Sequence, residues 1–289
     1  MNKKLILLLT LLAFIAPACG GSSIPSEPAD QTQLQTVVAS TLQAVTQAAE
    51  SRPTQPSGIT VSFQNISLVI PDGLAGGASS ELVPAADETN AGPWGISPEY
   101  VEFVLMDYPL TGNSLPPVIR IYPAQDYAAV NPWAKNSLEK LQAILANPSM
   151  PLTNENLSTI PFNGAAGQQY AAQAKILPLN NGNGVRMVSQ YGQFPGHVVN
   201  NGSYYHYEGL TGDGKYMIAV MLPILLPLQS TAENPDADGI PYPSDPVQDE
   251  NGMNAYYQGV VDLLNSASPD SFQPNLNALD ALVQSIQIK

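Results

Sequence analysis

Apolar positions recur at two periods along this chain. In 61–70, Val61 and Phe63 and then Ile66, Leu68 and Ile70 lie two apart, with a change of register between the groups. Two-residue spacing puts side chains on one face of a strand. Short β-branched runs at 101–106 and 118–122, bounded by Pro and Gly, predict two further strands. From 168 to 222, strand-like runs alternate with Asn180-Asn-Gly-Asn-Gly184, Asn200-Asn-Gly202 and Thr211-Gly-Asp-Gly214. Asn and Gly tolerate positive φ, so these steps predict hairpin turns. The region therefore reads as an antiparallel meander of three or four strands. The apolar run 217–228, which contains Pro223 and Pro227, predicts a buried strand leading into a covered loop.

Helical spacing appears elsewhere. Asn131 stands as a cap, Pro132 suits the first helical position, and Ala134, Leu138, Leu141 and Leu145 repeat at intervals of three and four. Tyr256, Val260 and Leu263 form a second stripe. Leu276, Leu279, Val283 and Ile286 form a third, with Pro274 before it. Asp30 and Gln33 resemble a capping box ahead of Leu34, Val38, Leu42, Val45 and Ala49, which predicts a short stalk helix. Strands and late helices without regular β-α-β alternation predict an α+β fold, an antiparallel sheet with a few packed helices.

Composition narrows the function classes. Charged residues make up 12% of the 289, about half the usual share. The formal net charge is −14, which excludes a nucleic-acid binder acting through clustered Lys and Arg. A single Cys excludes a disulfide scaffold. That Cys is Cys19, preceded by Lys3 and Lys4, an apolar run from Leu5 to Ile15, and Ala16-Pro17-Ala18. The run is too short to span a bilayer, which takes about 20 residues. This stretch resembles the signal peptide of bacterial lipoproteins. The resemblance implies cleavage before Cys19, lipidation of that Cys and retention at the membrane or envelope on the extracytoplasmic side. Loss of Lys3 and Lys4 with no acid moves the net charge to −16, so the acyl chains, not surface charge, would hold the bilayer. The expected organisation is a signal at 1–18, a lipidated tether at 19–58 with its short helix, and one α+β domain at 59–289.

Candidate chemistry is sparse. His197 and His206 are the two histidines, and no Gly-x-Ser-x-Gly, Gly-x-x-x-x-Gly-Lys or His-Glu-x-x-His occurs. His206 and Glu208 share one face of a strand, as an acid/base pair, half of a metal site, or a solvent-facing polar pair opposite Tyr205 and Tyr207. Tyr191, Tyr204, Tyr205, Tyr207 and Tyr216 either build the core or form a face that stacks on sugars or a peptide. Glu99 and Glu102 are near enough in sequence for a carboxylate pair of the glycosidase kind. Asn234, Asp236, Asp238 and Asp245, with Gly239 at the turn, stand at positions 1, 3, 5, 12 and 6 of a twelve-residue loop. The spacing is similar to the loop of EF-hand and dockerin-type calcium modules, which implies a structural Ca²⁺. It departs from that pattern in its first ligand, its short last ligand, and Pro241 and Pro243; the alternative is an acidic surface loop. The expected function is a membrane-anchored binding or scaffolding domain without catalysis. The alternative is an extracytoplasmic hydrolase acting on carbohydrate through paired carboxylates.

Overall fold

The 61–70 segment folds back on itself. Gln64, at φ 51°, and Asn65 make the turn between β1 (Gly58–Phe63) and β2 (Ile66–Pro71). The change of register seen in the sequence is thus a hairpin. The computed structural model describes residues 57–289, except 92–94, 111–114 and 160–165. The signal-like segment, Cys19, and the tether up to residue 56 with its predicted helix lie outside the described residues.

After the hairpin come β3 (Gly77–Val83), β4 (Tyr100–Met106), β5 (Val118–Pro123), α1 (Ala124–Val130) and α2 (Pro132–Ala146). Next are β6 (Gly167–Gln168), β7 (Ala172–Leu179), β8 (Gly182–Ser189), β9 (Tyr191–Gly192), β10 (Ser203–Thr211) and β11 (Tyr216–Ile224). The chain ends with α3 (Glu250–Ser266), α4 (Leu276–Ser285) and β12 (Gln287–Ile288). Seven strands form the main sheet in the order β3-β4-β5-β11-β10-β8-β7, every pair antiparallel. The predicted meander is its β7-β8-β10-β11 half, and the fold is α+β. β12 adds to β2, and the Asn65 side chain donates to the Lys289 carbonyl at 2.8 Å, which pins the chain end.

Both faces of the sheet are covered. On one, Phe103, Ile119, Tyr205, Tyr207, Val220 and Leu222 pack against β2, α3 and α4. On the other, Tyr122, Val185, Met187 and Met217 pack against α1 and α2 through Tyr127, Leu138, Leu141 and Ile144. Each fully buried aliphatic or aromatic side chain contributes about 1.5–3 kcal/mol. Every residue of β10 is buried. That coverage also accounts for the apolar run 217–228: β11 lies at the centre of the sheet, and Leu226 and Leu228 beyond it are buried.

Local chemistry sets the element ends. The Asn131 side chain accepts from the N–H groups of Trp133 (2.9 Å) and Ala134 (3.1 Å), the N-cap of α2; such a cap contributes about 1 kcal/mol. Leu179 and Gly182 flank the Asn180-Asn181 turn. Gly184, which the sequence had suggested as part of that turn, sits instead within β8. A Cβ there would lie 2.5 Å from the Tyr207 ring, and one on Gly209 would lie 2.6 Å from it. The two glycines make the slot in which the ring lies.

Candidate functional site

His206 and Glu208 point to the face covered by α1 and α2, and they are sealed there at 1% and 0% exposure. The solvent-facing reading therefore fails. Alternation predicts a wet polar face only where no second layer covers it, and here one does. Glu208 Oε2 accepts from the Ser158 hydroxyl at 2.6 Å, and Oε1 lies 3.2 Å from His206 Nε2. His206 Nδ1 shares a hydrogen bond with the Tyr191 hydroxyl. Ser158 donates to the carboxylate and not to the imidazole, so it lacks the serine–base contact of nucleophilic catalysis. The hydroxyl that does meet the imidazole, that of Tyr191, is held well above the ordinary tyrosine range by burial. Its evident work is to fasten the loop before β6 onto the sheet.

The same face carries a second polar group. Arg120 Nε lies 2.6 Å from Glu102 Oε2, and the guanidinium sits 5.9 Å from the centre of the Tyr100 ring. Tyr100 lies tilted against Tyr122, with centroids 4.5 Å apart, and Tyr122 stacks on Tyr127 at 4.3 Å. Burial raises the hydroxyls of Tyr122 and Tyr127 well above the ordinary tyrosine range. Glu102 thus serves Arg120, while Glu99 is exposed before β4. Of the meander tyrosines, Tyr204, Tyr205 and Tyr207 are buried and Tyr191 and Tyr216 half-buried, so they build core and not a stacking face. His197 packs edge-on to Tyr242 at 5.5 Å.

The 234–245 loop turns its carboxylates onto main chain. Asp238 accepts from the N–H groups of Gln229 (3.0 Å) and Ser230 (2.9 Å), and Asp236 from that of Tyr242 (2.7 Å). Asp245 accepts from the Gln248 N–H at 3.2 Å, and Asn234 is exposed. Gly239 takes φ 75°, as the turn position requires. Among the described residues no group of three or more His, Cys, Asp or Glu side chains is placed to hold a metal ion.

A cleft of about 790 Å³ opens among the described residues between the 152–155 loop, β7 and α3, within the usual size range of ligand pockets. Its α3 wall follows from helical spacing. Met253, Tyr256, Val260 and Leu264 go to the core; Asn254, Gln258, Val261 and Asn265, at intervals of four, three and four, line the cleft. Tyr257 is half-buried beside them, and its hydroxyl bonds both the N–H and the carbonyl of Gly196 at 2.9 Å. The β7 wall is irregular. A bulge between Ala172 and Lys175 places Gln173 at φ 55°, and its N–H donates to Asn265 Oδ1 at 2.6 Å.

Under the cleft lies an ion centre. Asp280 of α4 meets Lys175 Nζ at 2.6 Å, Arg186 Nε at 3.2 Å and the Tyr205 hydroxyl at 3.0 Å. Lys175 and Arg186 line the cleft, and Glu155 is the one carboxylate among its lining residues. None of this was read from the sequence. One signal was present: Asp280 falls on the apolar stripe of its helix, four after Leu276 and three before Val283, where a charge needs a buried partner. Comparison of the chain with protein-family models, curated proteins and solved structures finds no match.

Proposed function

We propose that the chain is a lipid-anchored extracytoplasmic lipoprotein whose folded domain holds a ligand in the β7–α3 cleft without transforming it. The observation that carries the binding half is the cleft lining, which is rich in carboxamides and has Glu155 as its one carboxylate. Hydrolysis by paired carboxylates would need a second one across the cleft. The groups best suited to proton transfer, His206 and Glu208, are sealed in the interior and are not among the residues that line the cleft. The anchoring half rests on the lone Cys19 behind its apolar run. No helix among the described residues is long and apolar enough to cross a membrane. Cys19→Ala is expected to move the protein from the membrane fraction to the soluble fraction, read by fractionation and immunoblot. Equal retention of the variant would overturn the anchor.

For the 234–245 loop this reading takes the carboxylates as turn-formers. Ca²⁺ would have to displace the N–H groups that Asp236 and Asp238 already accept, so millimolar Ca²⁺ is expected to leave the melting temperature unchanged. A stabilisation of about 1.4 kcal/mol at ten times Kd, lost in Asp236→Ala with Asp238→Ala, would instead make Asn234, Asp236, Asp238 and Asp245 a calcium site.

A further inference from the structure

We infer that the ligand of this cleft is a neutral oligosaccharide, an inference that rests on the binding reading above. Three features of the lining point the same way. The first is donor and acceptor balance. Asn154, Asn254 and Gln258 line the cleft, and a carboxamide both donates and accepts, as a sugar hydroxyl does. Asn154 Oδ1 already accepts from Gln168 and Gln258 Nε2 donates to Asp262, which leaves the Asn154 amide group and the Gln258 carbonyl for a ligand, while Gln169 is held by Phe194 and Gln190. The second is charge. Lys175 and Arg186 are the cations of the lining, and Asp280 holds both from beneath. The Arg186 guanidinium also donates to the Gln173 carbonyl. These cations are engaged within the protein, and Glu155 at the rim opposes an anion. The third is shape. Tyr257, tethered through its hydroxyl to Gly196, gives the α3 wall a fixed aromatic ring, the kind of apolar surface on which the C–H face of a sugar packs.

An extended peptide is the obvious rival, because β7 is the edge of the main sheet and edges accept added strands. The bulge at Gln173 breaks that edge where it borders the cleft, and Asn265 occupies the Gln173 N–H. A peptide therefore meets an interrupted ladder.

The test uses the full chain in a detergent without a sugar headgroup. Isothermal titration compares neutral tetrasaccharides (cellotetraose, maltotetraose, chitotetraose) with tetragalacturonate and with an unstructured tetrapeptide. Binding of a neutral tetrasaccharide, weakened about tenfold by Asn254→Ala with Gln258→Ala, is the expected result. Both side chains are exposed on α3, so the melting temperature should stay the same. Preference for tetragalacturonate or the peptide would overturn the neutral-sugar inference and leave the binding reading standing. Release of shorter sugars from a bound tetrasaccharide would overturn the non-catalytic reading and keep the ligand class. Absence of binding across the panel, or binding indifferent to the double substitution, would overturn the inference.

Discussion

Asp280→Ala is expected to destabilise the domain by about 3–5 kcal/mol, the cost of stranding a buried charge. The Arg186 side chain is 3% exposed and that of Asp280 is 8% exposed. Removing the carboxylate leaves the guanidinium without its counter-charge in a region of low dielectric, and it takes the acceptor from the Tyr205 hydroxyl. A domain of ordinary stability has about 5–15 kcal/mol in total, so the variant should unfold at a much lower urea concentration. Asp280→Asn keeps the shape and one acceptor, and its loss should be smaller. Lys135→Ala is the control. Its pair with Glu139 is exposed on both sides, and such pairs contribute at most about 1 kcal/mol. Urea titration with an unchanged slope reads all three variants. An Asp280→Ala midpoint close to that of the parent chain would show that the ion centre does not hold α4 to the sheet.

Alkali should unfold the domain cooperatively between about pH 10 and 11.5. Six buried tyrosines, Tyr108, Tyr122, Tyr127, Tyr170, Tyr205 and Tyr207, have hydroxyls raised well above their ordinary value, and desolvation is the main cause in each. The native state therefore keeps protons that the unfolded chain releases above a pKa of about 10. The unfolded state then binds fewer protons, so stability falls as pH rises. Below pH 10 the contribution is fully present. At pH 11 each such tyrosine favours the unfolded chain by about 1.4 kcal/mol, and six together by about 8 kcal/mol, comparable to the whole stability. Half-buried Tyr257, pushed up to about 12, adds less. The phenolate absorbance should rise in one step that coincides with loss of the far-ultraviolet dichroism. A gradual rise near pH 10 with the fold intact would mean that these rings titrate as exposed groups.

Local pattern carried much of the fold. Asn131 and Pro132 announced the start of α2, the turns at 180–184 and 211–214 separated strands that pair as neighbours, and the stripe through Tyr256 and Val260 marked α3. These signals are legible because a cap, a turn and a stripe depend on residues a few positions apart. Among the elements missed were ones with weak local pattern: β3, whose alternation runs through Gly, Ser and Glu, α1, seven residues with no side-chain cap, and the two-residue β12.

The candidate site was far less legible. Reading His206 and Glu208 as a wet polar pair was sound for a sheet with one bare face, and it failed because α1 and α2 lie on that face. The periodicity of β10 says only which residues share a side; it cannot say what covers that side. Gly184 likewise looked like turn chemistry until the Tyr207 ring was seen to need its empty space. Arg186 and Asp280 stand 94 residues apart, and nothing local to either names the other. The cleft comes from the same kind of long-range event, α3 settling beside the bulged edge of β7. By itself the sequence determined the α+β class, the meander, the capped helix α2 and the scarcity of catalytic side chains, because each is written in spacing or in counts. Which face is buried, which charges pair and where the surface is concave were decided by the tertiary structure, since burial and pairing depend on segments that meet only when the layers close.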